Sequence, residues 1–87
     1  MQKLEQLRKK IDVIDAAIIE KLKQRQKLTQ QIGQYKALHN IPIKDRVREE
    51  NLLTHYEELS EQHGLPPLLV TRLFKIIFTY SRKQQSK

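Results

Sequence analysis

Three basic side chains interrupt the apolar stripe of one long predicted helix, and they are the residues of this sequence best placed to do chemistry. Arg25 occupies a position of the stripe itself, whereas Arg8 and Lys36 flank it on one side. A guanidinium or ammonium group is costly to bury unless a carboxylate or another anion meets it. The pattern therefore predicts either internal ion pairs or a polar cavity for an anionic ligand.

The spacing of these cations indicates which of them share a ligand. Arg25 and Lys36 are 11 residues apart, which is about three helical turns or roughly 16 Å, so they point the same way and could converge on one small molecule. Arg8 precedes Arg25 by 17 residues, roughly 25 Å along the axis, which is too far for the same ligand. We expect Arg8 to reach that ligand only from a second, antiparallel copy of the chain.

Apolar residues at heptad spacing predict the helix that carries these cations, over residues 3–38. The two series of the apolar stripe are Leu4, Ile11, Ile18 and Ile32, and Leu7, Ile14, Leu28 and Tyr35. Gly33 lies inside this helix, where a glycine costs about 1 kcal/mol relative to alanine. It indicates close helix packing, the approach of a ligand, or simply a tolerated glycine.

Two breaks divide the rest of the chain into two shorter helices. After the break over residues 39–43, Asp45 suits the N-cap of a second helix that ends near residue 62. The next break contains Gly64, which suits a helix C-cap, and a third helix is predicted over residues 66–84. A first helix of roughly 54 Å is about twice as long as either of the other two, so they cannot cover its whole apolar stripe. We therefore expect a symmetric dimer in which two long helices pair antiparallel.

Composition limits the classes of function. The length of 87 residues allows one domain, and the absence of cysteine excludes disulfides and thiolate metal sites. No stretch approaches the roughly 20 apolar residues of a membrane span, and the N-terminus lacks the apolar core of a signal peptide. We expect a cytoplasmic protein without a membrane partner. The net charge of +7 could attract nucleic acid or a small polyanion, but a solvated helix surface is the favoured interpretation, and net charge alone does not identify a partner.

Further polar residues fall at matching places on the two shorter helices. Asp45, Arg48 and Glu49 cluster at the start of the second helix, and Ser81 and Gln85 continue the inner stripe of the third. Simpler explanations exist for each of them. Asp45 suits a helix cap and Glu49 a favourable first-turn carboxylate, while Ser81 and Gln85 could merely end a helix.

Together these residues resemble the all-helical class, or type II, of the chorismate mutases. The resemblance spans nearly the whole chain and rests on Leu7-Arg8, Ile11-Asp12, Ile14-Asp15, Arg25, Ile32-Gly33, Lys36, Pro42-Ile43, Asp45 through Glu49, Gly64-Leu65, and Phe74 through Ser81 to Gln85. It implies a monofunctional, single domain over residues 1–87 and an intertwined six-helix homodimer of three-helix protomers. It also implies the rearrangement of chorismate to prephenate in aromatic amino-acid biosynthesis.

The resemblance implies roles for the three basic residues of the long helix and for Gln85. Arg25 and the partner's Arg8 would clamp the two carboxylates of the substrate. Lys36 would donate a hydrogen bond to the ether oxygen and to a nearby carboxylate, and Gln85 would donate to the same ether oxygen from the opposite side. Since the reaction is a unimolecular pericyclic shift, no cofactor, metal, nucleophile or proton transfer is expected. The protein would only hold a flexible dianion in one conformer and stabilise the charge on the breaking bond.

The remaining site residues would surround the substrate's ring. By the same resemblance, Glu49 would hold the ring hydroxyl, with Asp45 and Arg48 closing around it. Ser81 would lie near a substrate carboxylate. These residues complete the set for which the resemblance implies a substrate contact.

Other functions stay open from the sequence. An isochorismate-pyruvate lyase of a salicylate-type pathway would share this fold and much of the basic site, although Glu49 and the Ser81/Gln85 pair favour the mutase. An aminodeoxychorismate mutase differs only in the group at the ring hydroxyl position. A basic helical nucleic-acid-binding module would need outward cations, whereas Arg25 is expected to face inward. A purely structural dimerisation bundle would not need the full set of matching residues.

Overall fold

The computed structural model describes residues 2–86, and within that range it contains three α-helices and no β-strand. Helix α1 runs over Gln2–Leu38, α2 over Arg46–Gln62 and α3 over Pro67–Gln85. The prediction of an all-α, three-helix chain is confirmed, and the helix ends lie within one residue of those expected. Both termini of the domain predicted over residues 1–87 lie outside the described residues. None of the helices found between residues 2 and 86 has the length and apolar character needed to cross a membrane.

Local chemistry explains where α2 and α3 begin and end. Asp45 caps α2, because its Oδ1 accepts a hydrogen bond from the backbone N–H of Arg48 at 3.0 Å. Gly64 follows α2 with a φ of 68°, a left-handed conformation that glycine adopts without steric cost. Pro67 opens α3, where its missing N–H removes no helical hydrogen bond.

Helix α3 packs against both α1 and α2 and so connects the three helices. Its inner face carries Phe78, which is 5% exposed and is the one buried hydrophobic side chain among residues 2–86. One turn earlier, Phe74 contacts Tyr56 of α2, with 4.5 Å between the ring centroids. The contact of Phe74 with Tyr56 fixes α2 against α3.

Much of α1 is left uncovered within the single chain. Each of residues 2–24 is exposed, and Leu7, Ile11 and Ile14 of the apolar stripe are 44%, 54% and 59% exposed. The described chain measures 57 × 25 × 15 Å with a radius of gyration of 16.4 Å, compared with about 12 Å for a compact chain of this length. An apolar face of this extent is typical of a surface that another protein covers.

Candidate active site

A cavity of about 180 Å³ lies where the C-terminal half of α1, the start of α2 and the C-terminal end of α3 meet. The space is far larger than the ~10–15 Å³ that admits one water molecule. Seven of the eight predicted site residues line it, namely Arg25, Lys36, Asp45, Arg48, Glu49, Ser81 and Gln85. Five smaller or apolar side chains also line it, namely Thr29, Ile32, Ile43, Leu52 and Phe78.

Arg8 is the predicted site residue that does not line this cavity. It is exposed on α1, roughly 25 Å along the helix from Arg25. A contribution of Arg8 within its own chain is therefore excluded by distance. Its contribution across a dimer interface stays a prediction.

Arg25 turns toward α3 and binds neutral groups there. Its Nη1 donates to the Oγ of Ser81, which in turn donates to the backbone carbonyl of Ile77 at 2.8 Å. The guanidinium carbon also lies 5.9 Å from the ring centroid of Phe78, within the range of a cation–π contact. The internal ion pair that the sequence left open for Arg25 does not form, since the salt bridge found among residues 2–86 joins Arg82 to Glu49 instead.

Buried Thr29 supports Arg25 from one turn further along α1. Its Oγ1 donates to the backbone carbonyl of Arg25 at 2.9 Å, and its side chain is 5% exposed. This back-bonding satisfies the hydroxyl inside the helix, and Thr29 is one of the residues that line the cavity. The sequence pattern did not indicate Thr29, because a threonine inside a helix has no distinctive signature.

Lys36 lies in the last turn of α1 and reaches the loop that follows. Its Nζ donates to the backbone carbonyl of Ile43 at 2.9 Å. A carbonyl oxygen orients the ammonium group without cancelling its charge. Two of the three N–H donors of the lysine remain for a ligand in the cavity.

Gln85 presents an unsatisfied polar group at the end of α3. Its Oε1 is buried and has no hydrogen-bond partner among residues 2–86. A buried polar atom without a partner costs about 1–3 kcal/mol. Because the amide has two donors and an acceptor, a polar ligand in the cavity could satisfy this side chain.

Arg82 is a cavity residue that the sequence pattern did not predict. Its Nη1 lies 2.6 Å from both Oε1 and Oε2 of Glu49, and the two side chains are 29% and 24% exposed. No second salt bridge occurs between residues 2 and 86. The sequence offered little signal, since a basic residue in the last turn of a helix is already explained by the helix dipole.

The cavity carries a surplus of positive charge. Four cationic and two anionic side chains line it, which leaves an excess of two positive charges: Arg25, Lys36, Arg48 and Arg82 against Asp45 and Glu49. One carboxylate caps α2 and the other binds Arg82. Arg25 and Lys36 therefore keep charges that no protein carboxylate neutralises. Such a site suits a small dianion with carboxylate groups.

The fold and this cavity define an all-helical protein with a compact, positively charged site between its helices. Residues 7–86 match the family described as Chorismate mutase type II. The chain belongs to this family, and it is an isomerase by that membership.

The chain has moderate sequence identity to three relatives, between 28% and 35%. The chain is 28% identical to the chorismate mutase of Methanocaldococcus jannaschii over 87 residues, which cover 100% of this chain and 88% of that protein. It is 35% identical to the bifunctional chorismate mutase/prephenate dehydratase of Escherichia coli over 71 residues, covering 82% of this chain and 18% of that protein. It is also 29% identical to the 4-amino-4-deoxychorismate mutase of Streptomyces pristinaespiralis over 76 residues, covering 87% of this chain and 59% of that protein.

Proposed function

We propose that this protein converts chorismate to prephenate by a pericyclic Claisen rearrangement, a step of aromatic amino-acid biosynthesis. One observation carries the proposal. Arg25 and Lys36, which no carboxylate neutralises, and the side-chain amide of Gln85, whose buried Oε1 has no partner and whose Nε2 is a donor, meet at one cavity with an excess of two positive charges. Chorismate is a small ring compound with two carboxylates and an ether bond, so it matches this site in charge and in hydrogen-bonding groups.

Arg25 would position the substrate by binding one of its carboxylates. The planar guanidinium fork suits a carboxylate, and the contact with Ser81 already aims it into the cavity. Fixing a flexible dianion in a compact conformer brings the two carbons that bond within reach of each other. Ser81, whose hydroxyl binds Arg25, would lie close to the same carboxylate.

Lys36 and Gln85 would act on the breaking bond. As the ether C–O bond lengthens, negative charge grows on its oxygen, and hydrogen bonds from the Lys36 ammonium and the Gln85 amide would stabilise it. One preorganised donor of this kind is typically worth about 2.7–4 kcal/mol of barrier. Electrons are only redistributed within the substrate, so the proposed reaction requires no cofactor or metal.

Glu49 would accept a hydrogen bond from the ring hydroxyl of the substrate. The start of α2, with Asp45 and Arg48, would close the cavity around that end of the ring. Both oxygens of Glu49 already contact Arg82, but a carboxylate offers about four lone-pair positions. Acceptor capacity is therefore left for the substrate.

We further propose that the active form is an intertwined six-helix homodimer that shares Arg8 across the interface. The exposed apolar stripe of α1 and the near absence of a hydrophobic core among residues 2–86 support it. If two α1 helices pair antiparallel with their symmetry axis midway between Arg8 and Arg25, the partner's Arg8 lies level with Arg25. It would then supply the second carboxylate clamp.

A chorismate-depletion assay with product identification tests the proposed reaction. We expect prephenate from chorismate, with neither added metal nor cofactor. Isochorismate and 4-amino-4-deoxychorismate should be assayed beside it. Release of pyruvate from isochorismate at a higher kcat/KM than chorismate turnover would reject the mutase in favour of the lyase.

Nucleic-acid binding is the competing non-enzymatic function. Arg25 faces α3 rather than the outer surface, and phosphate contacts need outward cations. Steeply salt-dependent binding of duplex DNA by a protein without mutase activity would support this alternative.

The cytoplasmic location stays a prediction from composition.

A further inference from the structure

We infer that Arg82 determines specificity at this site: paired with Glu49, it makes the ring position accept a neutral hydroxyl and reject an ammonium group. The inference rests on the proposed function, in which Glu49 accepts a hydrogen bond from the ring hydroxyl. Arg82 contacts the Glu49 carboxylate and thereby determines the net charge at the position where the ring substituent of the substrate would bind.

The geometry of the pair supports this role. Nη1 of Arg82 lies 2.6 Å from each carboxylate oxygen of Glu49, so one nitrogen holds both oxygens. The two residues belong to different helices, α3 and α2, and both line the cavity. Arg82 therefore approaches Glu49 from the α3 side. The carboxylate is held by Arg82 and can still accept a hydrogen bond from a hydroxyl on the cavity side.

The charge of Arg82 is the basis of the discrimination. An aliphatic amine is an ammonium cation at neutral pH, so a substrate with an amine in place of the ring hydroxyl brings a positive charge to Glu49. An isolated carboxylate would attract that charge. The guanidinium of Arg82, already in contact with the carboxylate, offsets the attraction and repels the ammonium at short range. A neutral hydroxyl carries no net charge, so Arg82 does not repel it in this way.

The other charged groups near this position do not replace Arg82. Asp45, the second carboxylate of the cavity, accepts from the backbone N–H of Arg48 as the cap of α2. Arg48 itself adds a further positive charge to the lining. Without Arg82 the excess of positive charge in the cavity would fall from two to one, and Glu49 would lack its cationic partner.

The experiment compares kcat/KM for chorismate and for 4-amino-4-deoxychorismate in the wild-type protein and in Arg82→Gln and Arg82→Lys variants. We expect Arg82→Gln to shift the ratio of the two values toward the amino substrate by about tenfold or more, as Coulomb repulsion at roughly 5 Å near a protein surface implies. Arg82→Lys keeps the charge and should keep most of the preference for chorismate. Because both side chains of the pair are partly exposed, the shift should also shrink as salt is raised.

Arg72→Gln is the matched control, because it removes the same charge from an exposed position of α3. It should leave the ratio at the wild-type value. An unchanged ratio in Arg82→Gln, or an equal loss on both substrates, would overturn the inference, since a merely structural role acts on both alike. That result is distinct from failure of the proposed function, which would appear as a wild-type protein unable to rearrange chorismate at all.

Discussion

A Cβ atom placed on Gly33 of α1 would lie 2.7 Å from the Cα and 2.7 Å from the carbonyl oxygen of Gln85 in α3. The last turn of α3 therefore rests directly on the backbone of α1, and only glycine leaves room for it. Gly33 lies three residues before Lys36, on the same face of the helix. The close approach brings the Gln85 amide to the cavity into which Lys36 points. Of the three readings of Gly33 that the sequence allowed, close helix packing is the one observed.

Replacing Gly33 by alanine should lower turnover by about tenfold or more, because an ångström-scale displacement of a catalytic group is costly. Alanine in a helix interior ordinarily stabilises by about 1 kcal/mol over glycine. Here the contact would be with backbone atoms of Gln85, which cannot rotate away, so we expect a lower Tm instead. Steady-state kinetics with chorismate and thermal unfolding measure the two effects.

Gln34→Ala provides the control for that variant. It alters the adjacent, exposed residue of α1 and should leave both turnover and Tm near the wild-type values. A Gly33→Ala protein that is more stable than the wild type and equally active would show that α3 can shift without consequence.

Replacing Lys36 by alanine should lower kcat about a hundredfold or more, on the scale of one preorganised donor to a developing oxyanion. The loss should fall on kcat, because the charge on the ether oxygen appears only in the transition state, and kcat/KM should fall further, because Lys36 would also bind a substrate carboxylate in the ground state. Lys27→Ala, at an exposed position of the same helix, should retain activity. Near-normal turnover of the Lys36 variant would remove this residue from the proposed mechanism.

The hydrogen bond of Lys36 to Ile43 calls for a second measurement. It joins the end of α1 to the loop before α2, so its loss could loosen that loop. Circular dichroism of the Lys36→Ala variant should show an intact helical fold. A variant that remains folded but is inactive separates the chemical role from the structural one.

The fold was predictable where a local residue determines the backbone. Asp45 has a side chain that caps α2, Gly64 adopts the left-handed φ, and Pro67 suits the first turn of α3. Each acts within a few residues of its own position, so its effect can be read from the sequence. The same holds for Arg25 and Lys36, because a continuous helix fixes their relative direction.

Features that depend on packing between helices were not predictable in the same way. The Arg82–Glu49 pair joins residues 33 positions apart on two helices, and no periodic pattern connects them. The contact of Gly33 with Gln85 depends on how closely α3 approaches α1, which the sequence left undecided. Helical periodicity indicates which face of a helix a residue occupies, but it does not indicate how closely two helices pack.

The proposed sharing of Arg8 predicts complementation between inactive variants. Arg8→Ala and Arg25→Ala homodimers should each lose nearly all activity, because each site would lack one of the two carboxylate clamps. Mixing the two after unfolding and refolding should restore part of the activity, since one site of each heterodimer then contains both arginines. The activity of the mixture, compared with each variant alone, is the measurement.

Two controls make the complementation result decisive. Each variant refolded by itself should stay inactive, which excludes recovery caused by the refolding step. Distinct affinity tags on the two chains should demonstrate that heterodimers have formed. Heterodimers without any recovered activity would mean that Arg8 does not complete the partner's site.

Replacing Gln85 by glutamate should make the activity depend on pH in a specific direction. A protonated carboxyl can donate a hydrogen bond to the ether oxygen, whereas an ionised one cannot and adds repulsion to the developing negative charge. Above the pKa of the introduced carboxyl the protonated fraction falls tenfold per pH unit, so kcat/KM should fall as pH rises and recover as pH is lowered. Gln62→Glu introduces the same charge at an exposed position of α2, outside the cavity lining, and should follow the wild-type profile. If Gln85→Glu also follows that profile, the amide of Gln85 does not donate to the reacting oxygen.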